Sequence, residues 1–510
     1  MEPNFISDKL SVQNLGAPTK NCDSPVPRLD DPPKFDLESY IGNYGGMLSR
    51  TFLSRLIRGN EIGNLTLGRT RFHRLHFIGT HSTYLSVEAL KLAIAEARGG
   101  KDVTNYQKAV EALTKVAPSE AEASIDTEWI EQTLKDVQAD TDRLEHELKG
   151  YKNNLIKESI RMGNEDLGQH YHETGDLNAA SKAYSRMRDY CTTTSHIASM
   201  LFKNIHVAVD REDWLAVQSN CHRLRNFQFK PDDETKNKAK MWASLGLSQL
   251  ATGAYYDAAT SFLSTDSSLA DSYKEVISPN DVAVYGGLCA LASMSRTDLI
   301  KRVMENKSFR NFLELEPHIR RAISFFCGSK FRSCLDILES YRVDYSLDVH
   351  LHRHVRDLYA QIRTKAMRQY ILPYRQITLT SMASMFSPNE MIADANGTTN
   401  LSSSFLLELI GLVQNGTLDA RVDLEKGVLV TRQTNKRRES HKRTMESIEE
   451  YLHISNLQLL QLNMWHASLK VPEIQQHDSD TLGQQVEPHE ELSTKTWKTL
   501  TDKFQRNIKQ

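Results

Sequence analysis

The chain has 510 residues, of which 39% are hydrophobic and 25% charged, and its formal net charge is -2. That balance argues against general nucleic-acid binding and against a polyacidic tail function, and no apolar run approaches the roughly 20 residues that a bilayer-spanning helix needs. So long a chain exceeds what one hydrophobic core organises, so several domains or a stacked repeat array are expected, in a soluble intracellular protein.

Residues 1–34 are rich in Pro, Ser, Asn and Asp with few large apolar groups, so they read as a disordered N-terminus and order is expected to begin near Phe35. Residues 35–161 read as an N-terminal helical region. Within it, Arg74–Ile94 sets Leu85, Ala89, Leu92 and Ala93 along one face. Ile125–Arg161 reads as one long charged helix, with Trp129, Leu134, Val137, Leu144, Leu148, Leu155 and Ile160 as its apolar contacts. A Gly-bounded basic segment, residues 46–68, interrupts the region. It reads either as a surface loop or as a translated intron, because Gly46-Met47 and Asn64–Gly68 back-translate to splice-like signals.

Residues 162–265 are repetitive. Leu167, Gly168, Tyr171, Gly175, Ala180 and Tyr184 have the offsets of a tetratricopeptide helix pair, and Trp242, Leu245, Gly246, Gly253, Ala258 and Phe262 repeat them. Gly and Ala let two antiparallel helices approach while the aromatic fills the space beside them. The expected architecture is therefore mostly α, a right-handed TPR-like helical-repeat solenoid in which each unit buries its face on the next.

Residues 266–432 continue with helices at Val282–Arg296, Ser308–Phe326, Phe331–Tyr341 and His354–Tyr370, the last ended by Pro373. They close in a winged helix at 376–431. Ile377 and Leu379 alternate, Thr380–Phe386 is a short helical pattern, and Ser404–Val413 is a longer apolar helix stopped by Asn415-Gly416. Leu418, Ala420 and Val422, then Val428 and Val430, form a hairpin around Gly427. From Gln376 to Ala420 there is no Lys or Arg, whereas Glu390, Asp394, Glu408 and Asp419 are acidic. Such a face repels phosphates, so the module reads as a protein-docking piece rather than a DNA reader.

Residues 433–443 read as a basic linker, part of the run Arg432–Arg443, which is either a solvated connector or a nuclear import signal. Residues 444–469 follow as an amphipathic helix. Met445, Ile448, Leu452, Ser455, Leu459 and Leu462 recur at alternating spacings of three and four, the pattern of a seam. A seam on one helix needs a partner, so Met445, Ile448, Leu452, Leu459 and Leu462 are the candidate interface residues, and intermolecular bundling is expected ahead of folding back. Residues 470–510 read as a disordered tail.

The six cysteines (Cys22, Cys191, Cys221, Cys289, Cys327, Cys334) form no CxxC pair, and only Cys327 and Cys334 are close, two helical turns apart. They read as buried free thiols, since zinc needs clustered ligands. His352-Arg353-His354 invites comparison with the His-x-His pair of a zinc protease, but the Ser and Asp that such a motif needs further on fall on Ile362 and Lys365. His350, His352 and His354 are therefore expected on a loop or the surface. There is no HExxH, GxxxxGK[ST] or GxGxxG, and Gly286-Gly287 sits in an apolar run as a helix-packing pair. No catalytic residue, metal site or cofactor is expected.

Helical repeats running into a winged helix resemble the PCI family, the scaffolding subunits of the proteasome lid, the COP9 signalosome and a translation initiation factor. Arg74–Ile94, Leu167–Thr193, Val282–Leu299, Ser308–Arg320 and His354–Tyr374 carry the likeness, and Tyr285–Leu288 with Phe312–Pro317 favour the signalosome branch over the lid branch. The resemblance covers most of Phe35–Thr431. It implies a non-catalytic member of a complex that removes Nedd8 from cullins and regulates cullin-RING ligases, with the isopeptidase zinc in another subunit. The implied partners are PCI-type and MPN-type subunits, and the implied location is cytoplasm and nucleus. It further implies side-by-side winged helices and a C-terminal helix in a shared bundle. Two departures stand out: residues 46–68 have no counterpart, and Ser387–Ser403 lengthens the gap between the winged-helix helices.

Overall fold

The computed structural model describes residues 29–43, 69–227, 229, 231–387, 392–393, 399–400, 403–431 and 436–469. The readings of 1–28 as disordered, of 46–68 as loop or intron, and of 470–510 as a disordered tail lie outside the described residues. The chain divides into two compact units, one ending at Arg432 and one beginning at Gln433.

Order begins before Phe35. Leu29 N donates to His81 O at 2.8 Å, Thr83 N to Leu29 O at 3.0 Å, and Lys34 N to an Asp344 carboxylate oxygen at 2.9 Å. These are largely backbone bonds, which leave no apolar signature in the sequence. Helices α1 (Leu37–Gly42), α2 (Arg69–His81), α3 (Ser86–Gly99) and α4 (Val103–Val116) follow. They enclose a core of their own containing Leu75, Ile78, Leu90, Tyr106 and Leu113. The expected single helix over Arg74–Ile94 is in fact α2 and α3. The chain breaks where Leu29 bridges Ser82 and where the Ser82 hydroxyl accepts from Leu85 N at 3.2 Å, giving that donor a side-chain partner at the start of α3.

The long helix expected over Ile125–Arg161 is likewise two, α5 (Thr127–Asn153) and α6 (Lys157–Thr174). Leu155 between them takes a left-handed φ of 54°, which a helix cannot contain. Leu134 and Leu155 are exposed, while Leu148 and Ile160 are buried together with Leu167.

The repeats are built as their spacing requires. α6 pairs with α7 (Leu177–Met187), α8 (Thr194–Asp210) with α9 (Trp214–Arg225), and α10 (Pro231–Ala251) with α11 (Tyr255–Leu263). A Cβ on Gly168 would stand 2.6 Å from the Tyr184 ring, and one on Gly246 would stand 2.8 Å from the Phe262 ring. Gly175 and Gly253 turn the chain at φ of 93° and 79°, conformations that residues with a Cβ rarely adopt. The same residue types therefore do the same work in both sequence-matched units.

Helix α12 (Pro279–Ser293) opens with a Ser278/Asp281 capping box and is buried along almost its whole length. α13 (Lys307–Leu315) and α14 (Pro317–Cys327) replace the single helix expected over Ser308–Phe326, because Pro317 offers no N–H to continue the first. Gly287 of α12 meets α14 directly: a Cβ there would lie 2.4 Å from Ile319 Cγ2. Gly287→Val is expected to lower unfolding free energy by about 1–3 kcal/mol, the usual cost of overpacking, and urea denaturation checks it. Helices α15 (Phe331–Ser340), α16 (Arg342–Ser346) and α17 (Val355–Ile371) complete the helical part. Cys327 and Cys334 belong to different helices, α14 and α15, rather than to two turns of one. The five described cysteines are free; Cys221, Cys289 and Cys334 are buried, and Cys191 and Cys327 partly so.

The winged helix follows in the expected order. β1 (Gln376–Thr378) leads into α18 (Leu379–Phe386), and a short ribbon pairs β2 (Ile392–Ala393) with β3 (Thr399–Asn400) inside the lengthened gap. Then come α19 (Ser403–Gln414), β4 (Ala420–Asp423) and β5 (Val428–Thr431). The antiparallel sheet has the order β1-β5-β4, with Ile377 and Val422 on either side of the fully buried Leu429.

The second unit contains α20 (Lys436–His466), one helix of 31 residues. It starts earlier than the expected 444 and absorbs most of the basic linker 433–443. Residues 436–443 contain neither Gly nor Pro, and Arg443 donates to Glu439 one turn back at 2.8 Å. Among the described residues no helix is long and apolar enough to cross a membrane.

Candidate docking surfaces

A docking surface is only as well defined as the elements that carry it are fixed to one another. Here the fixing point is Arg74 of α2, about 1% exposed. Its guanidinium donates to Asp348 and Asp281 at 2.8 and 2.9 Å and to the Tyr40 hydroxyl at 2.8 Å. Tyr285 donates to the other Asp348 oxygen at 2.7 Å, which also accepts from the backbone of His350 and Leu351 at 2.9 and 3.1 Å. Burial would push the Asp348 carboxyl up, but Arg74, His350 and the hydrogen bonds from Tyr285 and Arg74 hold it down at about 2. The first helical layer is thereby tied to α12 and to the loop before α17.

The winged helix offers two kinds of surface. Among the described residues β1 and β4 have no strand on their outer sides, the place where an added strand would pair. Leu407 on α19 and Leu424 in the hairpin turn are more than half exposed. Glu408 takes a two-pronged hydrogen bond from Arg363 of α17 at 2.8 and 3.0 Å, and Arg363 also donates to Phe386 O at 2.9 Å. That cation is engaged in holding the wing onto the solenoid. α19 carries no Lys or Arg.

On α20 the sequence-predicted interface residues are uncovered. Met445 and Ile448 are 46% exposed and Leu452, Leu459 and Leu462 54–57%, and at 3.6 residues per turn the five stay within about 100° of one face. The sequence reading left out Ile454, Leu457 and Leu460, which are equally exposed and fall on the other side of the helix, and Tyr451 and Trp465, exposed by more than 70%. The signal was present in the run from Tyr451 to Trp465, where apolar residues occur between the seam positions as well as on them.

The histidines of 350–354 are not on the surface. They lie in the turn before α17, as expected, but each is half-buried and packs elsewhere: His350 edge-on to Trp214, His352 on Phe77 at 4.6 Å, and His354 within 3.2 Å of the Tyr255 hydroxyl. They make three separate contacts.

Two family models match the chain. The one described as 26S proteasome subunit RPN7 covers residues 126–302, and the one described as PCI domain covers residues 338–433. The repeats plus winged helix are thus of the PCI class, and neither matching model is of a catalytic family. The chain is 57% identical to COP9 signalosome complex subunit 1 of Emericella nidulans over 448 residues, 88% of this chain and 85% of the relative. It is 37% identical to the protein of that name in Arabidopsis thaliana over 402 residues, 78% and 87% of the two chains. The 26S proteasome regulatory subunit RPN7 of Saccharomyces cerevisiae is 23% identical over 283 residues, 54% and 62% of the two. This chain belongs to the COP9 signalosome complex subunit 1 family.

Proposed function

We propose that the chain is a non-catalytic architectural subunit of a COP9 signalosome, the complex that removes Nedd8 from cullins and so regulates cullin-RING ubiquitin ligases. The observation that carries this reading beyond family membership is α20, whose apolar side chains on two faces are 46% or more exposed. A helix apolar on both sides suits the interior of a bundle made by several chains better than a simple two-helix seam. The open strand edges of the winged helix suit lateral pairing with a sister PCI-type subunit. The isopeptidase zinc belongs, on this reading, to an MPN-type partner, and the complex works in cytoplasm and nucleus.

Purified alone, the chain is expected to leave Nedd8-conjugated cullin intact. Tagged in cells, it is expected to bring down PCI-type and MPN-type signalosome subunits, identified by mass spectrometry. Cleavage by the isolated chain overturns the non-catalytic assignment. Co-purification with proteasome lid subunits instead favours the lid reading, which the match of residues 126–302 to the RPN7 model keeps in view.

A further inference from the structure

Where α6, α8 and α2 meet, a second polar cluster lies inside the solenoid unit. His206 and Asp210 are one turn apart on α8, so both project to the same side, and His172 near the end of α6 faces them. His172 Nε2 and an Asp210 oxygen are 2.6 Å apart, and the His172 and His206 rings meet edge to face at 4.6 Å. One donor atom from each of the three residues lies within 4.8 Å of the other two.

The hydrogen bonding of this cluster is incomplete. Among the described residues, His206 Nε2 is buried without a hydrogen-bond partner, and so is His73 Nε2 on α2. A buried unpartnered imidazole nitrogen beside a buried carboxylate is an unfavourable arrangement that something should relieve.

We infer that His172, His206 and Asp210 bind a divalent cation of the zinc class, which staples α6 to α8 inside the repeat array. The donor set is the two-imidazole, one-carboxylate combination that zinc accepts with a water molecule in its fourth position. Tetrahedral zinc places its ligand atoms about 3.3 Å apart, so ring tilts on the order of 1 Å from the present spacing would close the set. The other nitrogen of His206 lies 3.7 Å from a Glu275 oxygen, a carboxylate placed to orient a metal-bound imidazole. Arg69 Nε approaches Asp210 at 3.5 Å, but the Arg69 charge is balanced by Asp102 at 2.7 Å, so the cluster as a whole can accept positive charge. The metal has no role in catalysis here; it holds two neighbouring repeats together beneath the first helical layer.

The test uses the full-length chain, stripped with chelator and titrated with cobalt(II). One equivalent is expected to bind with the visible absorption of a tetrahedral site, and zinc is expected to raise the Tm of the stripped protein. His172→Gln and His206→Gln, verified as folded by circular dichroism, should lose both effects, and Glu275→Gln should weaken binding about tenfold. X-ray absorption of the zinc-loaded wild type, which needs no variant, should report only nitrogen and oxygen ligands. Absence of stoichiometric binding, unchanged binding in the folded histidine variants, or sulfur around the zinc would each overturn the inference.

Discussion

Removal of residues 433–510 is expected to yield a chain that folds and unfolds cooperatively but no longer co-purifies with partner subunits. Residues up to Arg432 are a compact unit by themselves, so the truncated protein keeps its solenoid and winged helix. What it loses is the apolar face of α20. Burying one Leu, Ile or Met side chain is worth about 1.5–3 kcal/mol, so five such residues supply enough to hold an interface even after the entropy of association is subtracted. The cut belongs before Lys436 rather than at 444, because the helix extends through the basic residues. Leu452→Asp with Leu459→Asp in the full-length chain is a finer version and should reduce partner recovery at least tenfold, with the circular dichroism of the first unit unchanged. Recovery of partners at wild-type yield by either variant would mean that assembly does not run through this helix.

Arg74→Ala is expected to destabilise the first unit by about 3–5 kcal/mol, the range for removing one partner of a buried ion pair. The loss is large because two carboxylates, Asp281 and Asp348, lose the guanidinium that faces them in the interior. A control separates charge from packing: Arg74→Met with Asp281→Asn and Asp348→Asn removes the charges together and should recover part of the loss. The pH dependence has a definite sign. The Asp348 carboxyl is held at about 2 in the fold against an ordinary value of 3.8, so its contribution is complete above pH ~4 and disappears as pH falls towards 2. Urea midpoints should therefore fall across that window in the wild type and less steeply in the triple variant. Equal midpoints for wild type and Arg74→Ala at neutral pH would show that the cluster does not hold the layers together.

The parts legible in the sequence are those governed by local spacing. The Gly-aromatic offsets of both repeats, the strand-helix-helix-hairpin order of the winged helix, and the existence of a helix at α20 each depend on residues within a few turns of one another. Helix breaks were harder. Ser82 and Leu155 end helices because of a distant strand bridge and a left-handed residue, and neither carries the Gly or Pro that usually marks a stop. Long-range polar chemistry was invisible. Arg74 looks like one more cation on an amphipathic helix, because its carboxylate partners are 207 and 274 residues away. Of the His172, His206 and Asp210 cluster only the His-x-x-x-Asp spacing of α8 could have been noticed, since His172 arrives through the stacking of repeats.

The separation between Arg74 and Asp348 has a consequence for the order of events during synthesis. At roughly 5–20 residues per second, Asp348 leaves the ribosome about 15–55 seconds after Arg74 does. Throughout that interval the earliest helices of the nascent chain lack their main counter-charge. Their final docking is therefore a late event, timed by translation of the far half of the polypeptide rather than by how quickly those helices can form.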